Sequence, residues 1–468
     1  MGQGSGRSTR SLPRPCRCAT LHDDRRFAWL IGRAVAQCDL PNPWCFPMSK
    51  AIDVAVSQHS RLQFFPFQVA KEAKQYIIGR PGTGSYVEIS EMGLDALNML
   101  GGNTTVAEAK AALASRYGTN QVQLRSLIQT LLTAGFVKAV DGRAVGDVLR
   151  PRRYHFTWVT RQSIGWLFSK PAIVLYVTLI AFGAGLVLLH PGYVPGPADI
   201  FVAESYLLTT LLGVFITALN VAKHELAHLF AGKFLGIEGT ISISRRLFFP
   251  VMQTDLTDLW MVDKQRRYLA YSAGMLSDLV LLSLLVTAMW VNDRGIVGFG
   301  PNIHATMNLA MLVVLFGILW QFNFFMRTDI YYILSNFFGC KNLYEDTKNY
   351  LWGGLYRKLG WHRPSVVGVV TPRELVIIRV YAAFVVIGTA ILSLFTVLVL
   401  VGIAYLLFAA SSQTELLLTT GRPEVGLADK IGQAGMLLLA LGMLAYATLV
   451  ERRRRRRIEY RLVAADEL

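Results

Sequence analysis

Long apolar runs separated by shorter polar segments dominate the chain beyond about residue 170. A helix needs about 20 predominantly apolar residues to cross a bilayer. Six runs come close to or exceed that length: 171–189, 205–231, 268–291, 304–324, 380–410 and 431–450. The pattern therefore predicts a mainly α polytopic membrane protein with about six transmembrane helices, which we assign to 149–450. Composition agrees, because 53% of the residues are hydrophobic, which exceeds ordinary globular usage.

The stretch before these spans has the shorter periods of a globular unit. β-rich segments at 76–78 and 86–89 flank a Gly-rich turn sequence at 81–85, which predicts a hairpin. Apolar positions at helical spacing then predict three helices, and 136–140 predicts a short closing strand. The pattern indicates a small α+β winged-helix domain in the cytosol, which we place at 61–148.

The segment before this domain shows no clear period. Four of the five cysteines lie in a tract rich in Arg, Pro and Ser before Met48, and their spacing fits a zinc knuckle poorly. The tract also lacks the uninterrupted apolar core of a secretory signal. We expect a disordered extension over 1–60, or translation that begins at Met48.

Positive charge is concentrated on one side of the predicted membrane domain. The formal net charge is +16. The basic residues cluster before the first span, after the second and fourth spans, and in the arginine run 452–457. The positive-inside rule then predicts that both termini are cytoplasmic, in a membrane that we expect to be the bacterial inner membrane. We expect the basic tail 451–468 to contact lipid headgroups.

Charge also bears on the partner of the winged-helix domain. Its predicted third helix, at 121–132, carries only Arg125 as a base. Duplex DNA carries a dense negative charge that proteins neutralise with several basic side chains. Nucleic acid is therefore not expected as a partner.

The end of the second apolar run carries a short chemical motif. On a helix, His224 and His228 are four residues apart and project from one face, so both imidazoles can reach one metal ion. Glu225 lies about 100° round the helix, where it can accept a proton from metal-bound water without being a ligand. Polar residues of this kind are costly inside a membrane and are seldom kept there without a task.

Topology selects a candidate for the third ligand that a catalytic zinc requires. The second and fourth spans both run toward the cytoplasm, which places Asp329 at the depth of His224 and His228. His190 and His304 fall at the outer ends of their spans, roughly a bilayer thickness away. We therefore predict one zinc per chain, held by His224, His228 and Asp329.

Asp278, inside the third span, has two interpretations. It could line the substrate path or accept a hydrogen bond from a ligand histidine, as carboxylates near metal sites commonly do. It could equally make a buried polar contact between helices that pack closely beside Gly274. The sequence leaves both open.

The segment 241–250 follows the motif and is polar at alternate positions as far as Ser244. The alternation predicts a strand between two spans, at membrane level. The edge of such a strand can pair with an extended substrate.

Residues 224–236 and 323–332 together resemble the site-two-protease class of intramembrane zinc metalloproteases, and within it the bacterial peptide zinc metalloproteases. Those proteins read Asn-Pro-x-x-Arg-x-Asp-Gly-Tyr-Tyr at the second motif. Asn323, Arg327 and Asp329 match that pattern, whereas Phe324 and Ile330 replace its proline and glycine. The resemblance implies that Asn323 and Arg327 support the site, and the two replacements remove a kink and a flexible turn beside the third ligand.

Residues 70–142 resemble the PqqD-like peptide-recognition domains. The resemblance rests on the segment 100–108 between two helices and on 133–137 at the end of the third. Those domains bind leader segments of ribosomally made peptides along the wing and the third helix. The alternative is a folded module that only docks on the membrane domain.

Together the two resemblances imply an intramembrane zinc metalloendopeptidase with a leader-binding domain. Its substrate would be a peptide precursor or a single-span membrane protein, cut near the cytoplasmic face, with a peptide exporter or maturation enzymes as further partners. One alternative keeps the protease but makes its target a membrane-tethered regulator. Another is a non-hydrolytic, peptide-binding membrane partner of an exporter or maturation system, which uses zinc structurally.

Overall fold

The computed structural model describes residues 51–420, apart from 73–74, 119–123, 148, 150, 201, 203–205, 248 and 360–370, together with scattered positions in 435–449 and the strand at 459–464. The tract before residue 51, most of the predicted sixth span at 431–450 and the arginine run 452–457 lie outside the described residues.

An α+β unit, called the N-terminal domain below, precedes the membrane helices. Its strands are β1 (Ala51–Val56), β2 (Leu62–Phe64), β3 (Gln68–Glu72), β4 (Gln75–Arg80), β5 (Ser85–Ile89), β6 (Val137–Val140) and β7 (Arg143–Ala144). Its helices are α1 (Glu91–Gly101), α2 (Val106–Tyr117) and α3 (Leu124–Thr133). β3, β4 and β5 form one antiparallel sheet, while β2 pairs with β6 and β6 with β7. The structure thus contains the hairpin, the three helices and the closing strand that the apolar pattern predicts.

Local sequence explains where two of these helices begin. The Ser90 side chain accepts the Gly93 backbone N–H at the start of α1. At the start of α2, Thr105 and Glu108 exchange side-chain and backbone hydrogen bonds in a capping box. Both arrangements satisfy N–H groups that a helix leaves without partners in its first turn.

The domain begins earlier than the expected boundary at residue 61. Val54 and Val56 of β1 are buried, and they pack in the same apolar core as α1, α2 and α3. Residues 51–60 therefore belong to the folded unit, and the expected extension over 1–60 is wrong for this part. The sequence signal was weak because β1 is a single short strand with no adjacent hairpin partner.

A last described strand, β10 (Glu459–Ala464), pairs in parallel with β1 in a two-stranded sheet, from Ala51 opposite Glu459 to Val56 opposite Ala464. Part of the expected basic tail is thus a strand joined to the N-terminal domain. Strand pairing joins residues far apart in sequence, which hydrophobic periodicity within the tail does not reveal.

Five helices in the described residues are long and apolar enough to cross a membrane. They lie in α5 (Lys170–Leu189), α6 (Tyr206–Phe234), α7 (Lys264–Asp293), α8 (Pro301–Trp320) and α11 (Pro372–Thr420), in which Pro372–Leu398 is the candidate span. The first five predicted spans therefore have helical counterparts. The sixth falls on residues that the structure does not describe.

α7 is the central helix of this bundle and packs against α5, α6 and α8. Small residues allow the close approach. A Cβ atom at Gly183 of α5 would lie 2.7 Å from the Cβ of Ser283 on α7. This central position lets α7 contribute side chains and backbone to the neighbourhood of α6.

Shorter elements fill the space between the spans on the side where α6 ends. They are α4 (Arg161–Ile164), the antiparallel hairpin of β8 (Thr240–Arg246) and β9 (Phe249–Asp255), α9 (Asp329–Phe338) and α10 (Leu343–Lys358). The strand predicted at 241–250 is thus the first arm and turn of a two-stranded hairpin.

Buried charges join the N-terminal domain to the membrane helices. Arg267 at the start of α7 is 2% exposed, and its Nη2 donates to Oε2 of Glu72 in β3 at 2.8 Å. Lys341 lies 3.6 Å from Glu72 and 3.0 Å from Glu88. Charges buried this deeply require partners, so these contacts hold one surface of the domain against the bundle.

Candidate metal centre

His224 and His228 lie in the last part of α6, on the face that meets α7. Both side chains are buried, and their Nε2 atoms are 3.2 Å apart. Their four-residue separation on a continuous helix produces this arrangement, as the sequence predicts.

Asp329, the first residue of α9, completes a cluster of three. Its Oδ2 lies 3.0 Å from Nε2 of His224 and 3.0 Å from Nε2 of His228. The end of α8 fixes this position, because Gln321 accepts the Asp329 backbone N–H through its side chain and the Thr328 hydroxyl through its carbonyl. The structure therefore brings together the three residues that the sequence selects as ligands.

The other nitrogen of each imidazole is held from α7. Nδ1 of His224 lies 2.7 Å from Oδ2 of Asp278, and Nδ1 of His228 lies 2.7 Å from the backbone oxygen of Ala270. An ionised carboxylate and a carbonyl can only accept, so each Nδ1 carries the proton. In a neutral imidazole this leaves Nε2 with its lone pair directed at the cluster, which is the orientation that a metal ligand needs.

Asp278 is 1% exposed and has a second partner. The Lys223 ammonium donates to Oδ1 of Asp278 at 2.7 Å, while Oδ2 faces His224. A buried carboxylate is stabilised by such a pair of charge-assisted contacts. Of the two interpretations, the contact with a ligand histidine is the one that the structure contains.

The donor set fits a zinc ion. Tetrahedral zinc with nitrogen and oxygen ligands at about 2.0–2.1 Å requires ligand atoms about 3.3 Å apart. The three ligand atoms are 3.0, 3.0 and 3.2 Å from one another. The three residues therefore form a group that could hold a metal ion. Gly274 of α7 keeps this space clear, because a Cβ there would lie 2.4 Å from Nε2 of both histidines.

Glu225 lies beside the cluster and is not one of its three ligands. Its Oε2 accepts the backbone N–H of Thr254 in β9 at 2.6 Å, and the Thr254 hydroxyl donates to the Glu225 backbone oxygen at 2.9 Å. These two bonds fix the carboxylate relative to the hairpin. The site can thus combine three ligands with a separate, oriented base.

Asn323 and Arg327 do not reach the cluster. The Asn323 amide donates to the Trp320 backbone oxygen at 3.1 Å, which closes the end of α8. Arg327 adopts a left-handed backbone with φ of 62°, and its guanidinium lies 5.7 Å from the centre of the Tyr344 ring. Both residues shape the turn that leads to Asp329 and offer no atom to the three-residue cluster.

Phe324 and Ile330 are accommodated within and directly after this turn. The Tyr381 hydroxyl of α11 donates to the Phe324 backbone oxygen at 3.0 Å, and the Phe324 ring packs edge-on against Phe384 at 5.2 Å. Tyr381 and Phe384 of α11 thereby anchor the segment around Phe324. Ile330 lies in the first turn of α9, where a helical residue replaces the expected glycine.

Several residues of the site carry no strong sequence signal. Lys223 acts through a salt bridge with Asp278. Ala270 acts through its backbone carbonyl and Thr254 through its backbone N–H, so these two contacts need no particular side chain. Asn220 lies one turn before His224, is buried, and has an Oδ1 atom with no hydrogen-bond partner. Its four-residue spacing from His224 was the available signal.

The histidines rejected as ligands lie elsewhere. His190 and His304 line a separate cavity of about 340 Å³, together with Asp199 and Asp293. These residues stand at the ends of α5, α7 and α8 remote from the cluster of His224, His228 and Asp329. The sequence argument from span depth excluded them for this reason.

The described residues thus define a mainly helical protein with five helices able to cross a membrane and a three-residue group that could hold a metal ion. Comparison of the chain with protein-family models, with curated proteins and with solved structures finds no match.

Proposed function

We propose that the protein is an intramembrane zinc metalloendopeptidase that cleaves a peptide precursor or a single-span membrane protein near the cytoplasmic face. The convergence of His224, His228 and Asp329 at the end of an apolar helix, with Glu225 beside them, is the observation that carries the proposal. Two neutral histidines and one carboxylate leave a fourth position for water, which is the pattern of catalytic zinc sites.

When bound there, zinc would polarise the substrate carbonyl and lower the pKa of its water toward neutrality. The residues of the chain supply the rest. Glu225 accepts the proton from the attacking water and passes it to the leaving amine. Asp278 and the Ala270 carbonyl keep the two imidazoles in the ligand tautomer, and Lys223 balances the charge of Asp278.

The β8–β9 hairpin supports an extended substrate pose. Ile241 of β8 is paired with Thr254 of β9. The Ile241 N–H donates to His155 and the Thr254 N–H donates to Glu225, so both N–H groups point away from the other strand of the hairpin. Alternation along an antiparallel pair then turns the backbone groups of Met252 to the same edge as Thr254. A substrate that has lost its helical hydrogen bonds can recover some of them at this edge.

The N-terminal domain gives the proposal its substrate class. The contacts of Glu72 with Arg267 of α7 and of Glu88 with Lys341 hold it against the helical bundle, at the end where the metal cluster lies. A domain that binds the leader of a precursor there would raise the local concentration of the scissile segment. We place both on the cytoplasmic side of a bacterial inner membrane, with an exporter or maturation enzymes as further partners.

The first experiment is the metal content of the protein purified in detergent, for the wild type and for Asp329→Ala. We expect one zinc per chain in the wild type and little or none in the variant. His304→Ala, which removes a histidine remote from the cluster, is the matched control and should keep its zinc. Zinc that is absent from the wild type, or unchanged in Asp329→Ala, contradicts the proposed site.

Catalysis is tested with Glu225→Gln, which keeps the shape of the side chain and removes the base. The assay follows cleavage of denatured casein in detergent, which presents extended peptide. Loss of cleavage with normal zinc content supports the peptidase. A wild type that binds zinc and cleaves nothing favours the non-hydrolytic peptide-binding partner instead.

A further inference from the structure

The linker between the N-terminal domain and the first membrane helix crosses the open end of the β8–β9 hairpin. Nη1 of Arg152 lies 3.1 Å from Oδ1 of Asp255, the last residue of β9. His155 contacts the other strand. Its imidazole Nδ1 accepts the Ile241 backbone N–H at 2.8 Å, and its backbone N–H donates to the Gly239 backbone oxygen at 3.2 Å. Arg152 and His155 of the linker therefore contact both strands at the same end of the hairpin.

That end of the hairpin is the one that holds the proposed base. Ile241 is paired with Thr254, and Thr254 is the residue that donates its N–H to Glu225 at 2.6 Å. Asp255 follows Thr254 directly in the chain. A displacement of Asp255 must therefore move the N–H that orients the Glu225 carboxylate.

Arg152 is fixed from the opposite side by the loop between β4 and β5. Its N–H donates to the Gly82 backbone oxygen at 2.8 Å. Its guanidinium packs directly on Gly84, where a Cβ would lie 2.0 Å from Nη2. Gly84 has φ of 69°, so the loop needs glycine for its backbone conformation as well as for this contact.

A second set of contacts, centred on Asp258, joins the N-terminal domain and the linker to the segment that follows β9. Asp258 accepts the Tyr86 hydroxyl of β5 at 2.6 Å and the Tyr154 hydroxyl of the linker at 3.3 Å. Burial and the neighbouring Asp258 carboxylate raise the pKa of Tyr154 to about 12, which keeps its hydroxyl a donor. The loop, the linker and the hairpin end consequently move together.

We infer that Arg152 is a positioning residue through which the N-terminal domain sets the orientation of Glu225. The chain of contacts runs from the Gly82–Gly84 loop to Arg152, then to Asp255 and Thr254, and ends at the carboxylate. A change in the seating of the domain, such as peptide binding would produce, alters the rate of the chemical step without altering the metal ligands. The catalytic part of this inference rests on the proposed function, whereas the mechanical part does not.

The mechanical part is tested by hydrogen exchange of the segment 249–257 in the full chain in detergent. Removing the guanidinium in Arg152→Ala should free the end of β9, and we expect the Thr254 amide to exchange roughly tenfold faster. Arg153→Ala is the matched control, because Arg153 is the neighbouring arginine and is exposed. Arg152→Lys keeps the positive charge and should restore part of the protection. Unchanged exchange in Arg152→Ala overturns the inference.

The catalytic part is tested by the kinetics of the same variants. A small misplacement of a catalytic group can cost about 100-fold in rate, so we expect Arg152→Ala to lower kcat by about 10- to 100-fold with KM and zinc content unchanged. A fall confined to KM would show that Arg152 serves substrate binding and would overturn the positioning role. Faster exchange in Arg152→Ala together with an inactive, zinc-loaded wild type would support the contacts from Arg152 to Glu225. The same result would contradict the proposed peptidase activity.

Discussion

Gly274 of α7 faces His224 so closely that a Cβ at position 274 would lie 2.4 Å from Nε2 of this histidine. The same Cβ would lie 2.4 Å from Nε2 of His228. A side chain at 274 would thus clash with the ligand nitrogens of both histidines. Glycine at position 274 therefore serves both the close packing of α7 on α6 and the space beside the two ligand nitrogens.

Gly274→Ala should therefore abolish zinc binding even though alanine is a better helix former than glycine. The added methyl group competes with the ion for space, and neither histidine can retreat without losing its Nδ1 partner. Zinc content of the purified variant is the measurement. Gly185→Ala, in α5, where a Cβ would meet nothing within 4 Å, should bind zinc as the wild type does. Normal zinc content in Gly274→Ala would contradict the geometry of the cluster.

Asp278→Asn should weaken zinc binding by about 10- to 100-fold, the usual effect of losing a partner that orients a ligand histidine. The amide no longer balances the Lys223 ammonium, and it can present its NH₂ group to Nδ1 of His224. The measurement is competition for zinc with a chelator of known affinity. Asp293→Asn, at the exposed end of the same helix, is the control. Equal affinities in all three proteins would make Asp278 a packing residue only.

Acidification should release the N-terminal domain from the membrane helices. Burial favours a raised pKa for Glu72, but the hydrogen bond from Arg267 and the charges of Lys341 and Arg267 outweigh it and hold the pKa below its ordinary value of 4.5. A depressed carboxyl pKa contributes stability above the ordinary value and loses it as pH falls through the folded value. The docking should therefore be constant at neutral pH and weaken below about pH 4.5.

Glu72→Gln should remove most of this pH dependence and weaken docking at neutral pH by about 3 kcal/mol, the low end for breaking a buried ion pair. The low end applies because Arg267 also donates to the backbone oxygens of Leu259, Val262 and Trp260. Limited proteolysis of the linker between about pH 3 and pH 7 is the measurement, with Glu91→Gln, an exposed glutamate, as the control. Identical cleavage rates in Glu72→Gln and wild type would refute the docking role.

Met252→Pro should abolish cleavage while leaving zinc in place. Proline is tolerated in a strand where its missing N–H faces away from the partner strand, which is the position that the β8–β9 register implies for Met252. The substitution removes a donor from the edge proposed to bind substrate. Met252→Ala keeps the N–H and serves as the control. Full activity of Met252→Pro at normal zinc content would mean that substrate does not pair there.

The pairing of β1 with β10 implies an even number of membrane crossings between them. Five helices in the described residues are able to cross a membrane, and the sequence predicts a sixth span at 431–450, which would make the number even. Reporters fused to both termini should be accessible from the same side of the membrane. A reporter inserted at 411–430 should be accessible from the opposite side only. Termini on opposite sides would disprove the strand pairing.

The metal cluster was more accessible to sequence reasoning than its supports. Two histidines at helical spacing and the depth of Asp329 were enough to select the ligands, because helix geometry is set locally and the basic segments give the direction of each span. For Asp278, the sequence left two interpretations open, and the contact with His224 was one of them. Deciding between them required the rotation of α7 about its own axis, and that rotation depends on packing against α5, α6 and α8.

The sequence by itself determined the apolar spans, the three helices and hairpin of the N-terminal domain, and the candidate ligands. All of these except Asp329 follow from residue type and spacing over at most a few turns of chain, and Asp329 follows from the direction of the predicted spans. The tertiary structure decided which nitrogen of each histidine faces the cluster, how Thr254 holds Glu225, and how Arg152 joins the domain to that contact. Those relations use backbone groups and residues 29 or more positions apart in the chain, and no local periodicity encodes which of them meet.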